Sequence, residues 1–184
     1  MVLELLEKTR SFRRVDQSRA LPSEDLRSIV SAIRLCPSAA NLQRLRAVIV
    51  EGTDEGWVFD TLAFAAYLRP WVRPEEGERP VAYVVLMSEG QADVNLGIDI
   101  GVAAEAMLLR ARELGIVGCM FRSFDKERLS SILGREGYIP HLVIAFGYPG
   151  ETVVIEDAGD SIKYYRDEEG VHHVPKLPLD KIII

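Results

Sequence analysis

A cluster of basic side chains near the amino terminus is the first feature of this chain that could bind a ligand. The run TRSFRR (9–14) places Arg10, Arg13 and Arg14 close to the hydroxyl of Ser11. Guanidinium groups donate paired hydrogen bonds to phosphate oxygens, and a serine hydroxyl and backbone amides add further donors. The segment therefore predicts a site for a dianionic phosphate, and the alternative is a solvated charge run at the end of a helix.

The loop PSAANLQ (37–43) carries a second set of polar groups. Asn41 and Gln43 each offer a donor and an acceptor, which is what the edge of a heteroaromatic ring with alternating carbonyl and N–H groups requires. Pro37, Ser38 and Ala39 are small or rigid and allow the backbone to approach a flat ring. The loop therefore indicates either a heteroaromatic ligand or an ordinary helix-to-strand connection with asparagine as a turn residue.

Motifs of several common enzyme classes are absent from the sequence. It contains no GxGxxG after a strand, no GxxxxGK[ST] and no GxSxG, which argues against Rossmann, P-loop and α/β-hydrolase sites. His141, His172 and His173 lack metal-ligand spacing, so we expect no metal site and place these histidines at the surface or in the tail. Cys36 and Cys119 lie outside any CxxC pattern, which predicts two reduced, buried thiols that pack rather than catalyse.

Length and charge limit the class of protein further. The 184 residues are 48% hydrophobic, which is enough for one domain with a full core. The net charge of −6 argues against binding to nucleic acid or to anionic membranes, because either would normally require a basic surface. The first residues, MVLELLEKTR, have acids within their apolar stretch and predict neither a secretory signal nor a membrane span, which favours a cytoplasmic protein.

Hydrophobic patterning predicts the elements that position these residues. The predicted helices cover 23–35, 55–68, 99–115 and 125–133, the last capped by Asp125 and followed by Gly134. The predicted strands cover 46–52, 81–87, 116–121 and 141–147, and a hairpin turns near 167–170.

Two of these elements, and the carboxyl-terminal residues, carry further expectations. The strand at 81–87 should be central and covered on both faces. The helix at 99–115 is apolar nearly all round, which predicts burial in the core or at a subunit interface. The three terminal isoleucines predict a strand that pairs with a sheet edge, in this chain or in another subunit.

In their order and spacing, these motifs resemble the FMN-dependent nitroreductase family. The likeness begins with an arginine-serine-x-arginine segment after a short first helix and a PSxxNxQ-like loop after the second. It continues in GIVGCMFRSFDKERL (115–129), HLVIAFGYP (141–149) and HHVPKLPLDKIII (172–184), which are similar to later strands and the terminal segment of the family. The resemblance therefore spans almost the whole chain.

The resemblance implies an α+β fold in which one domain, residues 1–184, has a central mixed sheet flanked by helices. It also implies an intertwined homodimer with an exchanged carboxyl-terminal strand, residues 151–184 wrapping the partner, and FMN at the subunit interface. By matching positions, the FMN phosphate and ribityl end would be held by Arg10, Ser11, Arg13 and Lys176. The isoalloxazine would be lined from the other subunit by Pro37, Ser38, Ala39, Asn41 and Gln43. A backbone N–H near Arg122 and Ser123 would face flavin N5.

Three positions depart from the family's pattern. Thr9 stands where many members have an arginine, Arg44 where a proline often follows the glutamine, and Arg122 where a small residue is usual. The first weakens the phosphate assignment slightly. A long cation at Arg122 could narrow the site or select an anionic substrate.

The activity implied by the resemblance is transfer of a hydride from NADH or NADPH, through FMN, to a nitroaromatic, quinone or similar acceptor in a ping-pong cycle. In this interpretation no side chain is catalytic, because the flavin carries the chemistry, and Arg122 is a candidate modulator. The alternatives are a specialised flavin enzyme of the same fold, such as a dehalogenase or a flavin-fragmenting enzyme, and a flavin-binding protein without turnover.

Overall fold

The computed structural model describes residues 1–52, 57–64, 67–68 and 70–184. The α-helices in these ranges are α1 Val2–Lys8, α2 Ser23–Ser31, α3 Trp57–Thr61, α4 Val94–Glu113 and α5 Lys126–Leu133. The strands are β1 Val15–Asp16, β2 Arg46–Glu51, β3 Ala82–Glu89, β4 Val117–Phe121, β5 Tyr138–Pro149, β6 Val153–Asp157, β7 Tyr165–Arg166 and β8 His172–Lys176. Short 3-10 turns occupy Ala32–Leu35, Ala39–Asn41 and Leu179–Lys181.

The long strand β5 organises the main sheet. This five-stranded sheet has the order β1-β5-β3-β2, with β4 also paired to β5, and every one of these pairs is antiparallel. The prediction of a mixed central sheet is therefore wrong for the strand pairs of this main sheet among the described residues. Parallel pairing among the described residues is confined to an isolated bridge between Ser11 and Gly118 and to β6 and β8 of a smaller sheet. Between β4 and β5 the chain reverses direction across α5, and these two strands pair antiparallel.

Strand β3 is buried on both faces, as its unbroken apolar sequence predicts. Val84 and Leu86 face a cluster covered by α2 and α4. Tyr83 and Val85 face the opposite cluster, which is covered by α3 and α5. Successive side chains of a strand point to opposite faces, so one run of apolar residues fills both layers of the core. The result is an α+β arrangement with a helical layer on each side of the sheet.

Helix α4 buries one face in the core and exposes another. Its buried residues include Met107 and Ala111, whereas Val94, Ile98 and Val102, spaced four residues apart, are exposed. The predicted all-round burial therefore does not occur within this chain. An apolar stripe on α4 is left at the surface.

Local signals explain the ends of α5, and tertiary contacts explain the early end of α3. The Asp125 carboxylate accepts the N–H of Arg128, and Gly134 follows the helix in the left-handed region, so the predicted boundaries are confirmed. The helix predicted over 55–68 is too long, because α3 ends at Thr61. Beyond Thr61, the N–H of Ala63 donates to the carbonyl of Ser123 at 3.0 Å instead of continuing the helix. Residues 55, 56, 65 and 66 of that predicted helix lie outside the described residues.

After β5 the chain forms a second sheet of three strands in the order β6-β8-β7. The predicted hairpin near 167–170 is confirmed, with Tyr165 opposite His173 and with Gly170 at a φ of 82°. The terminal isoleucines form no strand on this chain and are exposed. Exchange of the terminal segment with a partner, and the wrapping of the partner by residues 151–184, remain predictions.

Candidate functional site

The arginine-rich segment lies against the beginning of β4. Ser11 bridges to Gly118, and the N–H of Phe12 donates to the Gly118 carbonyl at 3.1 Å. A Cβ at position 118 would lie 2.7 Å from the carbonyl oxygen of Ala145 and 2.8 Å from the Leu108 side chain. Glycine therefore allows β4 to pack tightly between β5 and α4, while its carbonyl anchors the basic segment.

A buried carboxylate fixes the backbone of this segment. Glu151, whose side chain is 2% exposed, accepts the N–H groups of Arg13 and Arg14 and pairs with the guanidinium of Arg166. Removing one partner from a buried ion pair leaves an uncompensated charge, so such an arrangement strongly resists rearrangement. Glu151 thereby determines the direction in which the Arg13 side chain leaves the backbone.

The Arg13 guanidinium lies against two rings. Its central carbon is 4.7 Å from the centroid of the Tyr164 ring, and its Nη1 atom is 3.5 Å from both ring nitrogens of His172. His172 is 1% exposed, so of the two predicted positions, at the surface or in the tail, it takes the second and is buried there. Its strand is the middle one of the small sheet, and one face of that strand is covered by the basic segment. Burial, followed by the charge of Arg13, lowers the pKa of His172 to about 4, so the imidazole beside Arg13 is neutral at pH 7.

The neighbouring His173 points to the opposite face of β8, because successive side chains of a strand alternate between its two faces. Its ring stacks on Tyr165 and hydrogen-bonds to the carboxylates of Glu156 and Asp167. These hydrogen bonds raise the pKa of His173. The two histidines therefore occupy different electrostatic environments.

Buried N–H donors remain unmatched around the basic segment. Arg10 Nε, Arg166 Nε and Nη1, and Trp71 Nε1 have no hydrogen-bond acceptor among the described residues. Arg166 also lies over the Trp71 ring, 4.7 Å from its centroid. Buried polar groups in folded proteins are nearly always paired, so a set of unmatched donors is suited to an anion with several oxygens.

Lys176, the fourth residue predicted for the phosphate site, lies at the end of β8. It shares a strand face with His172 but is exposed and about 13 Å farther along the strand. Arg10, Ser11 and Arg13 are thus neighbours along one segment, but the Arg10 Nη2 atom donates to the Leu6 carbonyl at 2.6 Å while Arg13 faces His172 and Tyr164. Lys176 lies farther along β8.

The amide loop holds a strained backbone. Ala40, Asn41 and Gln43 have φ values of 49°, 53° and 49°, in the left-handed region that side chains other than glycine rarely adopt. Asp99 of α4, which is 5% exposed, accepts the N–H of Ala39 at 3.0 Å. Strain of this kind persists only where the surroundings enforce it, and it is typical of ligand-binding loops.

A cavity of about 360 Å³ lies beside this loop. The predicted residues that line it are Pro37, Ser38, Asn41 and Gln43. Ala39 does not line it and instead contacts Asp99. None of the basic segment's residues lines this cavity, so the structure brings the loop residues together but keeps them apart from the predicted phosphate site.

Arg122 and Ser123 follow directly on β4, and both are exposed. The Ser123 carbonyl is occupied by the N–H of Ala63, whereas the N–H of Ser123 meets no acceptor in the described part of the chain. Arg122 lines a second cavity, of about 610 Å³, with Lys126 and His141. The end of β4 thus presents the N–H of Ser123 on a backbone that is held by the bond from Ala63.

Two acids that hold these segments in place, Glu151 and Asp99, are not among the residues predicted from the sequence. Glu151 and Asp99 each bond to backbone N–H groups of a predicted ligand-binding segment. A signal for Asp99 existed, since it is an acid in an otherwise apolar helix. Glu151 follows Gly150, where a Cβ would lie 2.5 Å from the backbone of Val15, so the sequence GE there marks a close approach of two chain segments.

Neither cysteine forms a disulfide. Both cysteines are free, and Cys119 is buried as predicted, whereas Cys36 is only half-buried. Within the described ranges, no three metal-ligating side chains are grouped so that they could hold an ion. None of the helices in those ranges combines the length and hydrophobicity needed to cross a bilayer.

Comparisons with known proteins give the family. The profile of the family described as "Nitroreductase family" matches residues 6–73 and 59–148. No curated protein sequence matches the chain.

Solved structures share the fold. A nitroreductase family protein from Streptococcus pneumoniae TIGR4 has a TM-score of 0.71 at 18% identity, covering 100% of this chain and 99% of that one. A nitroreductase family protein from Clostridium difficile 630 has a TM-score of 0.67 at 16% identity, covering 99% and 96%. An FMN-dependent nitroreductase from Mycobacterium smegmatis, solved in complex with NADPH, has a TM-score of 0.65 at 17% identity, covering 81% and 87%.

The family profile spans the basic segment, the strained amide loop and the strands β2 to β5 that position them. Sequence and fold therefore agree on one assignment, and the chain belongs to the nitroreductase family.

Proposed function

We propose that the protein is an FMN-dependent oxidoreductase that uses NADH or NADPH to reduce a small acceptor, such as a nitroaromatic or a quinone. The observation that carries this proposal is the basic segment, in which Arg13 is held by buried Glu151 beside the unmatched donor of Arg10. Family membership supports it, as do structural neighbours described as an oxidoreductase containing FMN and as an FMN-dependent nitroreductase in complex with NADPH.

The residues present fit the phosphate end of FMN. Arg10 and Arg13 offer guanidinium donors, and Ser11 adds a hydroxyl. Lys176, at the margin of the region, would contribute charge. Because Glu151 accepts the N–H groups of Arg13 and Arg14, the backbone that carries the Arg13 donor is positioned before the ligand arrives, which lowers the entropic cost of binding.

The ring end of FMN would lie near the exit of β4. When bound, FMN would supply the chemistry of hydride and electron transfer. The chain's contribution there is the N–H of Ser123, whose backbone is fixed by the bond from Ala63. A fixed N–H can donate to a ring nitrogen whose charge changes during the reaction, and a preorganised donor needs no rearrangement at that moment.

The loop 37–43 would contact the ring from a second subunit. In one chain, this loop and the basic segment form separate sites, and a homodimer would bring them together across its interface. The exposed stripe of Val94, Ile98 and Val102 on α4 supports such an interface, because contiguous apolar surface of this kind is typical of protein contacts. We therefore infer that the working form is a homodimer.

Titration of the flavin-free protein with FMN tests the proposed phosphate site. Arg13→Ala and Arg10→Ala should each weaken FMN binding roughly 10- to 100-fold, because a hydrogen bond to a charged group contributes about 1.5 to 3 kcal/mol. Equilibrium dialysis measures the change. Arg128→Ala is the matched control, since it removes an exposed arginine of α5 that lies outside the segment. FMN affinity that is unchanged in both variants would contradict the assignment.

A further inference from the structure

The cavity at the end of β4 is basic in an otherwise acidic protein. It has a volume of about 610 Å³ and lies between α4 and the strands β4 and β5. Arg122 and Lys126 contribute cations to its wall, and Asp93 is the one carboxylate among its described lining residues. The chain as a whole has a net charge of −6, so this concentration of positive charge is a local feature.

The charge of Asp93 is already matched. Arg44 binds it with two hydrogen bonds of 2.8 Å, and the carboxylate also accepts the N–H of Leu96 at the start of α4. The hydrogen bond from Arg44 holds the pKa of Asp93 well below its usual range. Asp93 therefore stays ionised and paired with Arg44, and it does not offset Arg122 and Lys126.

His141 adds a neutral polar group to the same wall. Its Nε2 atom lies 2.8 Å from the hydroxyl of Ser88, which is fully buried, and this contact fixes the ring. Burial, followed by the charge of Lys126, lowers the pKa of His141. The Nδ1 atom is left for a second hydrogen bond.

The rest of the lining suits an aromatic ring. Met120, which is 40% exposed, Ile100, Phe124, Pro140 and Leu142 provide an apolar surface. An aromatic ring bearing an acidic group matches both parts of such a cavity, because the ring can bury apolar area while the anion meets the cations. Arg122 also precedes Ser123, the residue proposed to face the flavin ring, so the cavity adjoins the proposed reaction centre.

We propose that this cavity binds the electron acceptor and that the preferred acceptor is an aromatic anion, whose carboxylate or sulfonate is held by Arg122 and Lys126. This proposal rests on the proposed function, which places the flavin ring beside Ser123. Within it, Arg122 and Lys126 determine specificity and do not take part in electron transfer.

Calorimetric titration of the purified flavin-loaded protein with benzoate and benzamide is the direct test. The two probes have the same ring and differ in charge. Benzoate should bind at least about tenfold more tightly than benzamide. Arg122→Gln and Lys126→Gln should each weaken benzoate binding about tenfold, as expected when one charge-assisted contact is lost. Benzamide binding should change little in both variants. Arg128→Gln removes a charge from the same helix outside the cavity and should retain the wild-type preference.

Turnover gives a second measurement on the same proteins. The kcat/KM for 4-nitrobenzoate should exceed that for 4-nitrobenzamide in the wild type, and Lys126→Gln should reduce this ratio about tenfold. Equal binding of benzoate and benzamide, no binding of either, or a benzoate affinity that is unchanged in both cavity variants would overturn the proposal. FMN content and reduction by NADH or NADPH, measured on the same samples, separate the two claims. Intact flavin reduction without a preference for anions overturns the acceptor class alone, whereas protein that neither binds FMN nor reduces it overturns the proposed function.

Discussion

At the scale of single residues, Arg13 depends on what surrounds it. Glu151 holds its backbone, and His172 lies against its guanidinium as a neutral ring. A protonated imidazole at this position would repel Arg13. The buried histidine therefore links the conformation of the basic segment, the proposed phosphate site, to pH.

His172 predicts a loss of stability on the acid side. Its pKa is about 4 in the fold and 6.5 in the unfolded chain, so between these pH values the unfolded chain binds a proton that the folded chain does not. The free energy of unfolding should therefore fall as the pH decreases from 6.5 to 4, by a contribution on the order of 3 kcal/mol. Urea unfolding at several pH values measures this fall, and His172→Gln should lack the contribution.

His173→Gln is the matched control for this experiment. Hydrogen bonds to Glu156 and Asp167 raise the pKa of His173, so its stabilising contribution is fully present below pH 6.5 and is lost only as the pH rises through the higher, folded value. The control should keep the acid-side slope of the wild type. If the free energy of unfolding has the same pH dependence in wild type and in His172→Gln between pH 6.5 and 4, the buried neutral histidine is not the cause of the acid-side loss of stability.

At the scale of elements, the amide loop is held in its strained form by α4. Asp99→Ala removes the acceptor for the N–H of Ala39 and should let the left-handed residues relax. We expect FMN affinity to fall about tenfold, since the loop would no longer be preorganised and one hydrogen bond to a charged group is lost. Fluorescence titration with FMN measures the effect. Asp99→Asn keeps an acceptor oxygen and should restore most of the affinity, and Glu105→Ala, on the same helix, should leave it unchanged. An Asp99→Ala variant with wild-type FMN affinity would show that the loop keeps its conformation without Asp99.

Elements with local signals could be predicted from the sequence. The cap at Asp125 and the glycine after α5 lie within the helix's own neighbourhood, and the apolar run of β3 shows its two-sided burial directly. The end of α3 could not be predicted in this way, because it depends on hydrogen bonds with residues 123–125. The antiparallel direction of the sheet was missed for a similar reason, since strand composition does not state which neighbour a strand will meet.

In the candidate site, too, features set by local sequence differ from features set by contacts between distant segments. The sequence suggests its candidate ligand-binding residues because arginines, a serine and amides in short segments form recognisable patterns, and their binding role stays a prediction. The residues that hold those segments could not be predicted, because Glu151 lies 138 positions from Arg13 and Asp99 lies 60 positions from Ala39. The burial of His172 within the tail could not be predicted either, because the Arg13 that covers it is 159 positions away in sequence.

At the scale of the whole molecule, the exposed face of α4 predicts a dimer. Ile98 is 61% exposed in the single chain, so Ile98→Asp should leave the fold intact but dissociate the dimer, because a charge would be buried at the interface. Light scattering measures the mass, and near-ultraviolet circular dichroism checks the fold. FMN retention should fall with dissociation, because the loop 37–43 would be lost from the partner's site.

Removal of the terminal isoleucines tests the exchange of the carboxyl-terminal segment separately. Deletion of residues 182–184 should lower the stability of the dimer and the retention of FMN together, since an apolar terminus of this kind requires a partner surface. A truncated protein that remains a flavin-loaded dimer would contradict the exchange of the carboxyl-terminal strand. The proposed α4 interface would be unaffected by that result.

Anaerobic mixing of the flavin-loaded protein with NADH and with NADPH tests most directly whether the molecule is an FMN oxidoreductase. The account predicts that at least one nicotinamide bleaches the visible flavin absorbance within the time of a rapid-mixing experiment. In the proposed ping-pong cycle both half-reactions use the same site, so a stoichiometric amount of a quinone should then restore that absorbance. Protein that binds FMN but leaves it oxidised in the presence of both nicotinamides would contradict the central claim and identify the chain as a flavin-binding protein without turnover.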